Sequence, residues 1–155
     1  MLFKQTRIGK NGHPFTIYKL RSIPKGASQP NAWGVFLRKT KWDELPQLFN
    51  LLKGEMTLVG PRPDVPGYAD LLLGDDRIIL TVKPGITGLA SLKYRNEEQL
   101  LAQQPQPQHY NDTVIWSDKV RINKWYVQNR TFLIDLQIIF YTMMNFFQKP
   151  FFFIQ

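Results

Sequence analysis

A chain of 155 residues with 43% hydrophobic side chains is long enough for one buried core and too apolar to be disordered. It has no cysteine, which excludes disulfides and thiolate metal centres, and His13 and His109 are too far apart to show metal-ligand spacing. The net charge of +8 is uneven: residues 1–42 hold nine Lys/Arg and no acid, against eleven basic and twelve acidic residues in the remaining 113. Such an N-terminal quarter suits nucleic acid, an anionic membrane face or a phosphorylated substrate, and equally a plain solvated surface.

The opening "MLFKQTRIGK" has no apolar leader run, and no stretch reaches the roughly 18–20 apolar residues of a spanning helix. Two β-prone runs in "FKQTRIGKNGHPFTIYKLR" flank Asn11-Gly12, a hairpin signal. Residues 22–34 read as a Pro/Gly/Ser loop. The spacing of Leu45, Leu48, Phe49 and Leu52 predicts a helix over 43–53, with Gly54 as its stop. "MTLVG" reads as a short buried strand or extended segment, and "VPGYADLLLG" and "DDRIIL" as short helical pieces. "VKPGITGLASLKYR" reads as a glycine turn leading into a strand, "NEEQLLAQ" as helix and residues 104–108 as loop. Two helices are predicted over 117–128 and 131–147. The second is heavily apolar but interrupted by Asp135, Gln137, Thr142 and Asn145, and "KPFFFIQ" follows it. It suits either a docked core helix or one lying at a membrane interface.

Asp43 and Glu44 open the 43–53 helix, with Pro46 in its first turn. Acidic residues at a helix start are ordinary, because the free amides and the dipole favour negative charge there. The same setting suits an ionised nucleophilic aspartate, with a neighbouring glutamate offering hard oxygen to a divalent cation. In "GPRPD", Pro61 and Pro63 stiffen the backbone under Arg62, which suits either a rigid surface loop or a preset phosphate clamp. Arg38 precedes Asp43 by five residues, and Arg95 follows the glycine turn. Carboxylates with several arginines suit phosphoryl chemistry, but spacing alone does not bring them together.

The blocks "TRIGKNGHPFTIYKLR", "LRKTKWDELPQLFNLLKGEMTLVGPRP", "VKPGITGLA" followed by "YRN", and "DKVRINKWYVQNRTFLIDLQIIFYT" resemble the bacterial sugar transferases. These are monotopic phosphoglycosyl transferases that start glycan assembly on polyprenyl phosphate. The resemblance runs nearly end to end, and the block from Asp43 to Pro63 is highly specific. It implies that Asp43 attacks the β-phosphate of a UDP-sugar, giving a covalent aspartyl intermediate and UMP. Polyprenyl phosphate would then take the sugar-phosphate. Glu44 would be the Mg²⁺ partner, with Mn²⁺ as a substitute, and Arg38, Arg62 and Arg95 would contact phosphate and nucleotide.

Family members normally begin with an apolar segment that enters the membrane and turns back, and this chain begins roughly where that segment ends. The expectation is therefore a peripheral protein on an anionic surface at the cytoplasmic face of the bacterial inner membrane. "GLASLKYRN" also departs from the commonest family wording at Leu89, Ser91, Lys93 and Tyr94, which bears on sugar choice. The expected fold is α/β (α+β): one helix-rich domain with a small β-hairpin, short strands and amphipathic C-terminal helices. Two other readings stand beside it. One is a non-catalytic basic module binding membrane or nucleic acid, although no recognised nucleic-acid motif is present. The other is an inactive remnant that keeps the motifs.

Overall fold

A computed structural model describes residues 2–144 of the chain. Strands β1 (Leu2–Ile8) and β2 (Pro14–Leu20) form the expected antiparallel hairpin, Leu2 opposite Leu20 and Ile8 opposite Pro14. Asn11 and Gly12 make the turn with positive φ (58° and 80°), the backbone that Asn and Gly tolerate best. The predicted loop holds only to residue 31. There the Asn31 side chain caps a helix by accepting from the Gly34 amide at 2.9 Å, and α1 (Ala32–Thr40) follows.

The predicted 43–53 helix is divided. Trp42–Gln47 is a 3-10 turn and only Leu48–Leu52 (α2) is α-helical. Lys41, in the left-handed region at φ 58°, separates the turn from α1, and Pro46 has no amide to donate to an α-helical ladder. The helical apolar period does not mark a core face here: Leu45, Leu48, Phe49 and Leu52 are all exposed. The buried members are Gln47 and Asn50. Asn50 Nδ2 donates to the Thr16 carbonyl and to Glu55 Oε2, both at 2.7 Å, and so pins α2 to the hairpin.

"MTLVG" gives strand β3 (Thr57–Val59), which pairs in parallel with β4 (Gly85–Thr87). The strand expected in "VKPGITGLASLKYR" stops at Thr87, and Leu89–Lys93 is helical (α3). The reason for the glycines is close backbone approach. A Cβ at Gly85 would lie 2.1 Å from the Gly60 nitrogen, and one at Gly88 would lie 2.3 Å from the Gly60 oxygen. The Gly85 amide donates to Pro61 O at 2.9 Å, so the two glycine-containing motifs hold the start of "PRPD" between them.

The segment between β3 and β4 holds 3-10 turns at Ala69–Leu71 and Gly74–Thr81, as expected for short helical pieces. Helices α4 (Glu97–Ala102) and α5 (Pro107–Tyr110) follow, the latter starting inside the stretch read as loop, with proline at its first position. A π-helical turn, Asn111–Ile115, leads into α6 (Trp116–Asn129), and α7 runs Phe132–Met144. Residues 145–147 of the predicted last helix, and "KPFFFIQ", lie outside the described residues.

One core cluster joins Val59, Tyr126 and Ile138, so α6 and α7 close over β3. Tyr126 donates its hydroxyl to Asp135 Oδ1 at 2.7 Å, tying the two helices. A second cluster of Ile8, Ala69 and Leu80 carries the hairpin. Helix α7 fits both sequence readings. Ile138 is buried, while Phe132, Leu133, Phe140 and Met143 are exposed. Among the described residues no helix is long and apolar enough to cross a membrane.

Candidate active site

The 3-10 turn packs on strand β2 and presents Asp43 and Glu44 to it. Glu44 is held from two sides. Lys19 Nζ of β2 donates to Glu44 Oε1 at 3.1 Å, and Arg62 donates through Nη1 to Oε2 at 3.3 Å and through Nη2 to Oε1. The two-pronged contact matches a planar guanidinium to a carboxylate. Burial alone would raise the Glu44 carboxyl, but Arg62, with Lys19 and Lys41, outweighs it and holds the group at about 2. Glu44 is therefore a fixed anion across the working pH range.

Asp43 has the opposite environment. It is half-buried, and its Oδ1 is shielded from solvent with no hydrogen-bond partner. Burial, and then the Glu44 charge, push its carboxyl above the ordinary value, while Lys19 and Lys41 pull it back. The helix-start argument alone favours a lowered value, so desolvation by the tertiary fold decides the direction. A poorly solvated carboxylate oxygen with no partner is more basic and more reactive than a hydrated one.

The structure brings Asp43, Glu44 and Arg62 together. Arg38, in the last turn of α1, has other partners: its Nε donates to Ser22 Oγ at 3.0 Å and its Nη1 to the two Glu98 oxygens at 3.3 and 3.4 Å. Arg95 lies in the turn between α3 and α4, three residues before Glu98. An open cleft of about 570 Å³, lined by Asn11, Asp75, Arg77, Thr81 and Gln128 among others, contains none of these residues.

Lys19 is a site residue that motif reading passed over. Its signal is the strand period: it shares a face with fully buried Ile17, where a lysine needs a partner. Arg7 is similar. It shares the less exposed face of β1 with Phe3 and Gln5, and Nη1 reaches the Pro63 carbonyl at 3.4 Å while Ile8 N donates to Asp64 O at 2.9 Å. The hairpin thus supports the "PRPD" segment from behind.

Asp64 closes that support. Burial pushes its carboxyl up to about 6, against the pull of Lys119, Arg7 and Arg62. A carboxyl whose folded value lies above its unfolded one stabilises the fold at low pH, and that contribution is lost as pH rises through the folded value. Asp64→Asn should therefore match the wild type near pH 4 and become more stable than it above pH 6, by about 1–3 kcal/mol. Urea unfolding at pH 4.5 and 7.5 checks this. An Asn variant less stable at both would mean that the charged form is satisfied in the fold.

Among the described residues no three His, Asp or Glu side chains converge as a metal cage. Mg²⁺ rarely needs one, since it is held by one or two carboxylates with substrate phosphates and waters completing its sphere. The Glu44 oxygens make three contacts with Lys19 and Arg62 where a carboxylate can accept about four, and Asp43 Oδ1 makes none. With one acceptor position left, Glu44 fits a single carboxylate ligand of a hard divalent ion whose sphere a phosphate and waters complete.

The sequence model of "Bacterial sugar transferase" matches residues 1–149. The chain belongs to the bacterial sugar transferase family. Relatives in this family include an uncharacterized sugar transferase, EpsL, of Bacillus subtilis, 37% identical over 92% of this chain and 68% of its own length. An undecaprenyl-phosphate galactose phosphotransferase of Salmonella typhimurium is 34% identical over 91% of this chain. A UDP-glucose:undecaprenyl-phosphate glucose-1-phosphate transferase of Klebsiella pneumoniae is 32% identical over 92%. The chain spans 32% of the length of each of these last two transferases. Their names differ in the sugar, so this level of identity does not fix it.

Proposed function

We propose that this chain is the catalytic domain of a phosphoglycosyl transferase. It moves a sugar-1-phosphate from a UDP-sugar to polyprenyl (undecaprenyl) phosphate and initiates polysaccharide or glycan assembly. The observation that carries this reading is the unpartnered, buried oxygen of Asp43 beside a glutamate neutralised by Arg62 and Lys19. An Asp43 oxygen attacks the β-phosphorus of the donor. The bond from that phosphorus to the oxygen bridging to the α-phosphate breaks, and UMP leaves with that oxygen. A polyprenyl phosphate oxygen then attacks the same phosphorus and releases the Asp43 carboxylate, forming the polyprenyl-diphospho-sugar.

An anionic nucleophile meeting an anionic diphosphate needs positive charge already in place. Lys19 and Arg62 supply it next to Glu44, and Arg38 and Arg95 would add to it when the donor's phosphates reach them. Glu44 would hold Mg²⁺ or Mn²⁺, which neutralises charge developing on the phosphoryl oxygens. The experiment that tests the reading is UMP release from a panel of UDP-sugars with undecaprenyl phosphate, detergent and Mg²⁺. No release with any donor overturns it, and full activity in excess EDTA overturns the metal role.

The acceptor is a lipid, and the protein has a surface suited to meeting one. Trp33 stacks on Phe36 at 5.4 Å, Phe36 meets Trp42 edge-on at 5.9 Å, and Leu45, Phe49 and Leu52, which follow Asp43 in sequence, are exposed as well. Lys39 and Lys41 lie among these residues in sequence. Aromatics with lysines next to a site that takes a lipid phosphate suit shallow insertion in an anionic leaflet, at the cytoplasmic face of the inner membrane. Trp33→Ser with Phe36→Ser should lower binding to vesicles containing phosphatidylglycerol by about thirtyfold, each aromatic contributing on the order of 1 kcal/mol of burial. Sedimentation with vesicles measures it. Equal binding by the double variant would move the contact elsewhere, for instance to Phe151–Phe153, which lie outside the described residues.

A further inference from the structure

We propose that Glu98 is an electrostatic gate on Arg38: its carboxylate competes with the donor diphosphate for the same guanidinium edge and so sets donor affinity. The inference rests on the reading above, in which Arg38 meets the donor's phosphates. Three observations make Glu98 the movable partner. Its contacts with Arg38 Nη1 are long, at 3.3 and 3.4 Å, and its side chain is 85% exposed, so the pair is weak and easily broken. Arg38 does not depend on it for position, because Nε is fixed separately by Ser22 Oγ at 3.0 Å. The guanidinium plane therefore stays aimed when Glu98 swings away.

The third observation is the neighbouring residue. Glu97 is bound through both oxygens to Lys119 Nζ, at 2.8 and 2.7 Å, and that pair is much less exposed. Helix α4 is thus anchored on α6 by Glu97, while Glu98 reaches across to α1. Two adjacent glutamates do different work: one fixes the helix, and the other is released by rotamer change alone. A diphosphate carries more charge than one carboxylate and can take Nη1 and Nη2 together, whereas both Glu98 oxygens share Nη1 alone, so it displaces Glu98 at Arg38. Each binding event must first break the Glu98 contact, which lowers the apparent affinity by the population of the closed pair.

UDP is the probe, titrated calorimetrically into the full chain. Glu98→Gln removes the competing charge and should tighten UDP binding about threefold to fivefold at low salt, a gain that shrinks below about twofold near 0.5 M salt. A purely structural role for Glu98 would not give a salt-dependent gain. Asp75→Asn removes one negative charge from an exposed position away from the site and should change affinity by less than about twofold. If wild type binds UDP and Glu98→Gln binds no tighter, or weaker, the gate is wrong and the functional reading stands. If Asp75→Asn gains as much as Glu98→Gln, the effect is net charge and the local gate is wrong. If neither wild type nor Glu98→Gln binds UDP at millimolar concentration, the functional reading falls and the gate falls with it.

Discussion

Asp43→Asn is expected to abolish turnover, by at least about a thousandfold in kcat, with the fold intact. Asparagine keeps the shape of the side chain and offers a far poorer nucleophile. It also removes a carboxyl whose charge is disfavoured by burial and by Glu44, so thermal stability should hold or rise slightly. Intact-mass measurement after incubation with a UDP-sugar alone separates the chemistry from the binding. The wild type should gain the mass of a sugar-phosphate and the Asn variant should not. Normal turnover by the Asn variant would remove Asp43 from the role of nucleophile.

Glu44→Gln is the second large effect, and it should damage both activity and stability. Glu44 sits between Lys19 and Arg62, and among the described residues its carboxylate is the only one within ion-pair distance of either. A neutral amide leaves two cations facing each other in a partly buried setting. Removing one partner of such a cluster is far worse than never having built it. Because Arg62 keeps some exposure, the expected loss of stability is about 1–3 kcal/mol, below that of a fully buried pair. The loss in kcat/KM should be about a hundredfold to a thousandfold, since Arg62 would no longer be held in place for phosphate.

The pH dependence gives a separate check on Glu44. Its folded value, about 2, lies below that of an unfolded glutamate, so its contribution is present above pH 4–5 and is lost as pH falls through about 2. The stability gap between wild type and Glu44→Gln should be widest near neutrality and close progressively below pH 4. A gap that does not narrow in acid would show that the substitution acts through packing and not through lost charge.

The hairpin, β3, the helices over 116–129 and 132–144 and the two carboxylates were legible because each carries a local signal. Asn11-Gly12 prescribes its turn, and the amphipathic run after Trp116 prescribes its helix. Local rules failed where tertiary contacts replace them. The period of Leu45, Leu48, Phe49 and Leu52 promised a helix with a buried face, yet Pro46 and Lys41 break the helix and all four leucine and phenylalanine side chains stay exposed. An apolar face left on the surface of the described residues suits the lipid contact proposed above.

By itself the sequence singled out the candidate groups: adjacent carboxylates at Asp43 and Glu44, a stiffened Arg62 between two prolines, and basic charge gathered in the first 42 residues. These follow from residue type and short-range backbone restriction. Only the tertiary structure decided how they divide the work. Lys19 comes from a strand 25 residues away to hold Glu44, and Arg62 comes from a loop set by the contact of Gly60 with Gly85. Their charges hold Glu44 ionised, and burial leaves Asp43 with an oxygen that no partner satisfies. The difference is physical: dihedral preference and periodicity act over a few residues, whereas desolvation and ion pairing depend on which distant groups the fold places within a few ångströms.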